Sequence, residues 1–234
     1  MNQTLYMLKA IWNWKTSGIL SKRTLKQVKF DWQRLKTRAK RHGTKPFIPS
    51  HDRLHLGSGR HLVNGWLNVD VCKSDYDIDF ACGWLPWQNH VFKAIVSQHT
   101  IEHLELKTEL LPLLCELRRV LKPEGELWLS CPDIEKVCRS YMEHRMVDLI
   151  AECRTRIPKF SLGKAPSSEM INHLFHQNGE HKNLFDFELL SWALKQSGFT
   201  QISRVTETDL LEKLPGFPSR ADDLQSLYVV AGGV

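Results

Sequence analysis

Residues 53–71 read Arg-Leu-His-Leu-Gly-Ser-Gly-Arg-His-Leu-Val-Asn-Gly-Trp-Leu-Asn-Val-Asp-Val. A short apolar segment leads into a Gly-Ser-Gly turn, and a second apolar segment carries Asp70 near its end. This pattern predicts two parallel strands that bring a glycine turn and an acid to one edge of a sheet, where α/β proteins bind nucleosides. Gly57 and Gly59 can adopt a positive φ and let the backbone approach a ligand. Asp70 is placed to accept hydrogen bonds from a ribose diol.

Two features argue against a dinucleotide ligand. Leu62 stands where G-x-G-x-x-G has its third glycine. Asp70 also follows the turn sooner than the roughly 20 residues typical of dinucleotide-binding proteins. The stretch therefore favours a nucleoside without a pyrophosphate, although Gly-x-Gly alone is also common in ordinary turns.

Length and composition limit the class of protein. With 234 residues, the chain suits one domain and an appendage. Its apolar runs are far shorter than the roughly 20 residues of a membrane span. Met1–Leu20 lacks the continuous apolar block of a secretory signal. We therefore expect a cytoplasmic protein whose six cysteines are reduced and semi-buried.

Positive charge is concentrated in residues 1–50, which hold twelve Lys or Arg and one acid. This segment has a charge of +11, so the rest of the chain has −5 within the total of +6. The sequence predicts two arm helices broken at Ser17-Gly18, followed by a linker over Gly43–Ser50. In the second helix apolar residues recur at helical spacing between lysines and arginines. They are Leu25, Val28, Trp32, Leu35 and Ala39.

The basic arm has three interpretations. Its tryptophans, Trp12, Trp14 and Trp32, suit contact with an anionic membrane, which would place residues 1–45 at the inner face of the membrane. Its charge also suits a nucleic-acid backbone. Alternatively, the helix packs on the domain and leaves a solvated basic face.

Residues 51–234 alternate between strand and helix patterns. Seven strands are predicted: 53–56, 66–71, 77–80, 93–97, 126–131, 201–205 and 226–231. Helices are predicted from Thr108, as N-cap, to Leu121 and from Asp186, as N-cap, to Ser197. The order predicts an α/β, Rossmann-like sheet of seven mainly parallel strands with helices on both faces. Residues 132–185 interrupt it and suggest a lid or substrate insertion, helical over 141–153 and a loop over 155–168.

These pieces resemble class I S-adenosylmethionine-dependent methyltransferases, in particular the methyltransferase type 11 group and its members associated with surface polysaccharides. The likeness covers about residues 53–231. It is carried by Leu54–Gly59 with Gly65–Asp70, by Leu85-Pro86-Trp87, by His99–Leu104, by Arg119–Leu127, and by Leu190–Phe199.

The resemblance implies S-adenosylmethionine as cofactor, bound through the glycine turn and the acid of the second strand. The residues implied are Leu56, Gly57, Ser58, Gly59 and Asp70. Asp79 resembles the acid that reaches the adenine amine, and His99 lies where the family lines the methionine side. Three departures are Lys93 in place of an acid, Glu124 in place of a glycine, and a first crossover too short for an ordinary helix.

Histidines supply the candidate catalytic residues. His181 is the first choice as the base that deprotonates an acceptor and His176 the second, while His99 lines the active site. His173 and Asp133 are candidate substrate contacts, although Asp133 equally suits a helix cap. Residues 99–103 also match H-x-x-E-H, the inverted zinc-protease pattern. We expect no metal, because the segment directly follows a strand and no distinctive third ligand is visible.

The sequence therefore predicts transfer of a methyl group to an oxygen or nitrogen of a small-molecule or glycan-type acceptor. One alternative is an RNA methyltransferase that uses the arm to hold nucleic acid. The other is a non-catalytic module that keeps the nucleoside pocket.

Overall fold

The computed structural model describes residues 21–39 and 44–233. The first predicted arm helix, with Trp12, Trp14 and the break at Ser17-Gly18, lies outside these residues. The second arm helix is confirmed as α1, Lys22–Ala39. No helix within the described ranges is both long enough and apolar enough to cross a membrane.

The domain is built on one seven-stranded sheet in the order β3-β2-β1-β4-β5-β7-β6. Strands β1 to β5 run parallel, and β7 is antiparallel to both neighbours, which confirms the predicted fold class. The strands are β1 Arg53–Leu56, β2 Leu67–Asp70, β3 Tyr76–Asp77, β4 Phe92–Gln98, β5 Leu121–Pro132, β6 Gln201–Val205 and β7 Ser226–Gly232. The helices after α1 are α2 Leu111–Val120, α3 Ile134–His144, α4 Val147–Arg156, α5 Glu169–His176, α6 Phe187–Gln196 and α7 Glu207–Lys213.

The sheet separates two apolar layers because successive side chains of a strand point to opposite faces. Leu54 and Leu56 join the larger cluster, which α2 and α6 cover. His55 faces the other side, where its ring meets Phe217 edge-on at 5.0 Å. Burial on both faces explains why the strands read as nearly continuous apolar runs.

Three local predictions differ from the structure. The third strand ends at Asp77, because the Asp79 side chain accepts from Ala81 N and starts a 3-10 turn, Phe80–Cys82. Thr108 is not the cap of α2. Instead Glu105 accepts from the amides of Lys107 and Thr108 at 3.1 and 2.8 Å and starts a π-helical turn, Leu106–Leu110. Exposed Cys115 and Cys138 depart from the semi-buried cysteines expected.

Other local predictions are confirmed. The Asp186 carboxylate caps α6 by accepting from Leu189 N at 2.8 Å. No helix forms in the short crossover between β1 and β2, all of which is described. The stretch predicted as a linker is tied to the domain from Phe47, which donates to Pro86 O at 3.1 Å and accepts from Gln88 N at 3.1 Å.

The insertion contains α3, α4 and α5 and has its own apolar cluster, which includes Val137, Leu149 and Met170. The segment predicted as one helix over 141–153 is two helices, because Arg145 and Met146 have φ values of 49° and 66°. A bridge between Asp133 and Phe185 brings the start and end of the insertion together. The insertion therefore borders the edge of the sheet at which β5 ends.

His55 provides a test of the buried layer between β1 and Phe217. Burial lowers the pKa of His55 to about 4, against 6.5 for an ordinary histidine. The folded protein keeps the ring neutral while the unfolded chain takes up a proton below about pH 6.5. We therefore expect the free energy of unfolding to fall by about 3 kcal/mol as the pH drops from 6.5 to 4.

The comparison protein is His55→Leu, which removes this titration. In this variant the Asn68 Oδ1 is not left without a hydrogen-bond donor, because it still accepts from Val63 N at 2.8 Å. Urea denaturation at several pH values should show a shallower decline for the variant. Equal declines in the two proteins would contradict the account.

Candidate active site

The glycine turn lies where the strand order reverses, between β1 and β4. Gly57 has a φ of +71°, and a Cβ there would lie 2.1 Å from Thr100 Oγ1 in the loop after β4. Only glycine therefore allows the two loops to meet. At Gly59, with a φ of +55°, a Cβ would meet nothing within 4 Å. The turn thus packs on one side and is open on the other, as a ligand-binding turn requires.

Asp70 fixes the shape of this turn. Its Oδ2 accepts from Gly59 N at 2.8 Å, and its Oδ1 accepts from Val71 N at 2.6 Å. Each oxygen keeps a further lone pair for a ribose hydroxyl. Leu56 and Ser58 have completely buried side chains, so a cofactor contact at these two predicted residues falls to the backbone.

Asp79 lies beneath α1. Its Oδ2 accepts from Arg34 Nε at 2.9 Å and from Arg38 Nε at 2.6 Å, while only 1 % of its side chain is exposed. Arg34 also reaches Glu109 at 2.9 Å. The carboxylate predicted to receive the adenine amine is thus engaged by two guanidinium groups, a long-range contact that the sequence does not reveal.

His99 follows β4 with a φ of 51° and joins a buried cluster of charges. Its Nε2 donates to Asp222 Oδ2 at 2.6 Å, and its Nδ1 lies 3.3 Å from Glu102 Oε1. Arg156 and Tyr228 also donate to the Asp222 carboxylate, at 3.1 and 2.7 Å. The His99 imidazole therefore lies between two carboxylates.

These contacts set the charge of the cluster. Burial would lower the pKa of His99, but the Asp222 hydrogen bond and the Glu102 contact outweigh it and raise that pKa to about 9. Burial would likewise raise the pKa of Asp222, but His99 holds it at about 2. At neutral pH, His99 is an imidazolium with both nitrogens engaged. With both nitrogens protonated, this ring has no lone pair to accept a proton, and its place in the active-site lining stays a prediction.

The 3-10 turn Ile101–His103 brings Glu102 and His103 against His181 of the insertion. The two rings lie 4.8 Å apart, edge to face. His181 Nδ1 lies 2.7 Å from Leu174 O, and His103 Nδ1 lies 3.1 Å from Glu180 O. A carbonyl can only accept, so in each ring Nδ1 carries the hydrogen and Nε2 carries the lone pair.

The remaining predicted site residues do not join this cluster. His173 and His176 of α5 line a separate cavity of about 350 Å³ within the insertion. Asp133 is buried and caps α3, since its Oδ1 accepts from Glu135 N at 3.0 Å. The capping interpretation of Asp133 is thus observed, while its Oδ2 has no hydrogen-bond partner among the described residues.

Comparison with known proteins identifies the domain. Residues 56–129, which contain the glycine turn, Asp70 and the loop after β4, match the "Methyltransferase domain" family. Over these 74 residues the chain is similar to S-adenosylmethionine-dependent methyltransferases. Its cofactor is S-adenosylmethionine, and the open side of Gly59 and the Asp70 carboxylate fit the ribose end of that molecule. When bound, the cofactor supplies an electrophilic methyl group on a sulfonium.

No curated protein matches the methyltransferase. Among solved structures, it is similar to an S-adenosylmethionine-dependent methyltransferase from Thermotoga maritima, with 14% identity over 80% of this chain and 84% of that one, TM-score 0.46. A methyltransferase from Archaeoglobus fulgidus shares 17% identity over 90% and 99% of the chains, TM-score 0.44. A protein from Nostoc punctiforme, described as an O-methyltransferase, shares 11% identity over 71% of this chain, TM-score 0.40. The methyltransferase spans only 36% of that protein.

Sequence reasoning missed three charged residues near the site. Arg34 and Arg38 have the same spacing as the other cations of α1, so nothing in the pattern separates them from a solvated face. Asp222 lies 123 positions from His99 and belongs to a loop before β7. A polar Ser-Arg-Ala-Asp-Asp stretch, 219–223, before a buried strand was the one available signal for it.

The Asp79 ion pairs predict how α1 is held. In a chain with Arg34→Gln and Arg38→Gln, we expect backbone amides of residues 22–39 to exchange with deuterium about 10–100 times faster, because two charge-assisted hydrogen bonds are lost. Lys29→Gln is the control, since Lys29 is an exposed cation of the same helix. Amides of α2 serve as an internal reference. Unchanged exchange in α1 would show that other contacts hold the helix.

Proposed function

We propose that the methyltransferase transfers the methyl group to an oxygen or nitrogen of a small-molecule or glycan-type acceptor. The supporting observation is the group formed by Glu102, His103 and His181 beside the glycine turn. Thr100 connects the two regions, since it packs on Gly57 and lies two residues before Glu102. Polar side chains with unshared electron pairs on this side suit a polar acceptor.

His181 is the proton acceptor in this proposal. Its Nδ1 donates to Leu174 O, which leaves the lone pair on Nε2. S-adenosylmethionine held at the glycine turn would supply the methyl group to the acceptor atom and would leave as S-adenosylhomocysteine, with the electron pair of the broken carbon–sulfur bond on sulfur. The proton of the acceptor passes to His181 Nε2. The protein contributes alignment of the reacting atoms and this one base.

The charges of α1 favour this acceptor class over RNA. Lys26, Arg34 and Arg38 form ion pairs with Glu180, Glu109 and Asp79 of the domain. Cations engaged in this way are less available to phosphates. This favours the packed-helix interpretation for the second half of the arm, while membrane contact through residues 1–45 stays a prediction because residues 1–20 are outside the described ranges.

Labelled S-adenosylmethionine tests the proposal. The methyltransferase is incubated with the tritiated methyl donor and three separate acceptor pools: low-molecular-weight metabolites, extracted glycans and total RNA. We expect label in one of the first two pools. Label in RNA alone, lost when residues 1–45 are removed, would contradict the proposal.

The same assay tests His181. On the labelled pool, His181→Asn should slow methyl transfer by about 10²–10⁴-fold, the usual contribution of a general base. His176→Asn is the matched control, because His176 is an exposed histidine of the same insertion. Equal rates for the two variants would remove His181 from the chemistry.

A further inference from the structure

Glu102 presents an unusual buried carboxylate. Only 1 % of its side chain is exposed, and neither Oε1 nor Oε2 has a hydrogen bond in the described part of the chain. The His99 imidazole lies beside it, with Nδ1 3.3 Å from Oε1. A buried charge of this kind is costly unless further positive charge or donors reach it. A cation or a hydrogen-bond donor at Oε2 would reduce this cost.

Two imidazoles stand beside this carboxylate. One ligand atom from each of Glu102, His103 and His181 lies within 4.8 Å of the others. In both rings, a backbone carbonyl takes the Nδ1 hydrogen, which fixes the tautomer that leaves Nε2 as a donor of electrons. Histidines that bind metal ions are oriented in this way, with the second ring nitrogen donating to a carbonyl or carboxylate.

We propose that Glu102, His103 and His181 bind one divalent transition-metal ion, of the Zn²⁺ class, at the acceptor side of the methyltransferase. Two imidazoles and one carboxylate are a ligand set found in mononuclear zinc sites. The nitrogen donors disfavour Mg²⁺ and Ca²⁺, which take oxygen ligands. The proposal departs from the sequence-based expectation of no metal.

The geometry requires only a small closure. Ligand atoms around a tetrahedral Zn²⁺ lie about 3.3 Å apart, given bonds of about 2.0 Å. The present separations reach up to 4.8 Å, and the two histidines are partly exposed, so their rings can turn inward. Three protein ligands leave a fourth position open, as in catalytic zinc sites. That this position receives an oxygen of the acceptor rests on the proposed function, whereas the metal site itself does not.

In the metal-loaded protein, the His181 electron pair goes to the ion and no longer to a proton. The two states of His181 are therefore exclusive. Metal binding can be measured without cofactor or acceptor, so its failure and the failure of the proposed function are distinguishable.

The test is equilibrium dialysis of the purified full chain against Zn²⁺ and, separately, Co²⁺, with metal content measured by mass spectrometry. We expect one ion per chain and, with Co²⁺, visible absorption bands of tetrahedral intensity. His103→Asn and His181→Asn should each weaken binding by about 100-fold. His176→Asn, which removes another histidine of the insertion, should leave it unchanged.

Glu102 needs separate care because it is buried. Glu102→Gln should also lose the ion, and circular dichroism shows whether that variant is folded. If it is unfolded, His103→Asn still tests the site, because His103 is partly exposed. Absence of a stoichiometric ion in the wild type would overturn the proposal. So would an ion whose affinity is unchanged in His103→Asn and His181→Asn, since it would then lie elsewhere.

Discussion

The close approach of Gly57 to Thr100 is the constraint on which the site depends. A methyl group at Gly57 would lie 2.1 Å from the threonine hydroxyl, so the turn after β1 and the loop after β4 meet only with glycine. This contact brings the turn that Asp70 holds through Gly59 N next to the loop that carries His99 and Glu102. The glycine turn and the loop after β4 are thus neighbours because β1 and β4 lie side by side at the point where strand order reverses.

Ion pairs connect the loop after β4 to the rest of the domain. Asp222 and Glu102 hold His99 as an imidazolium, and Arg156 and Tyr228 satisfy the other positions on Asp222. Buried charges of this kind contribute little net stability, because desolvation offsets most of their attraction. Their effect here is to fix the orientation of each group around the loop after β4. Removal of one partner would leave the others uncompensated in a buried place.

The sequence predicts what depends on local pattern. The two strands of residues 53–71, the glycine turn and the Asp186 cap follow from apolar runs, positive-φ residues and capping chemistry, and the structure confirms them. The contacts of Asp79 with α1 and of His99 with Asp222 join residues 41 to 123 positions apart. Such pairs depend on how the elements pack. The tautomers of His103 and His181 likewise depend on carbonyls that reach them through the folded insertion.

Calorimetric titration with S-adenosylmethionine and S-adenosylhomocysteine tests whether the edge formed by the glycine turn and Asp70 is the cofactor site. Both ligands should bind the wild type, and Asp70→Ala should weaken the binding of both by at least tenfold, since the variant loses the proposed ribose acceptor and the acceptor of the Gly59 N hydrogen bond. Glu124→Ala, which removes an exposed carboxylate near the start of β5, should bind as the wild type does. If neither ligand binds the wild type, or if Asp70→Ala binds unchanged, the site is elsewhere and the account is wrong.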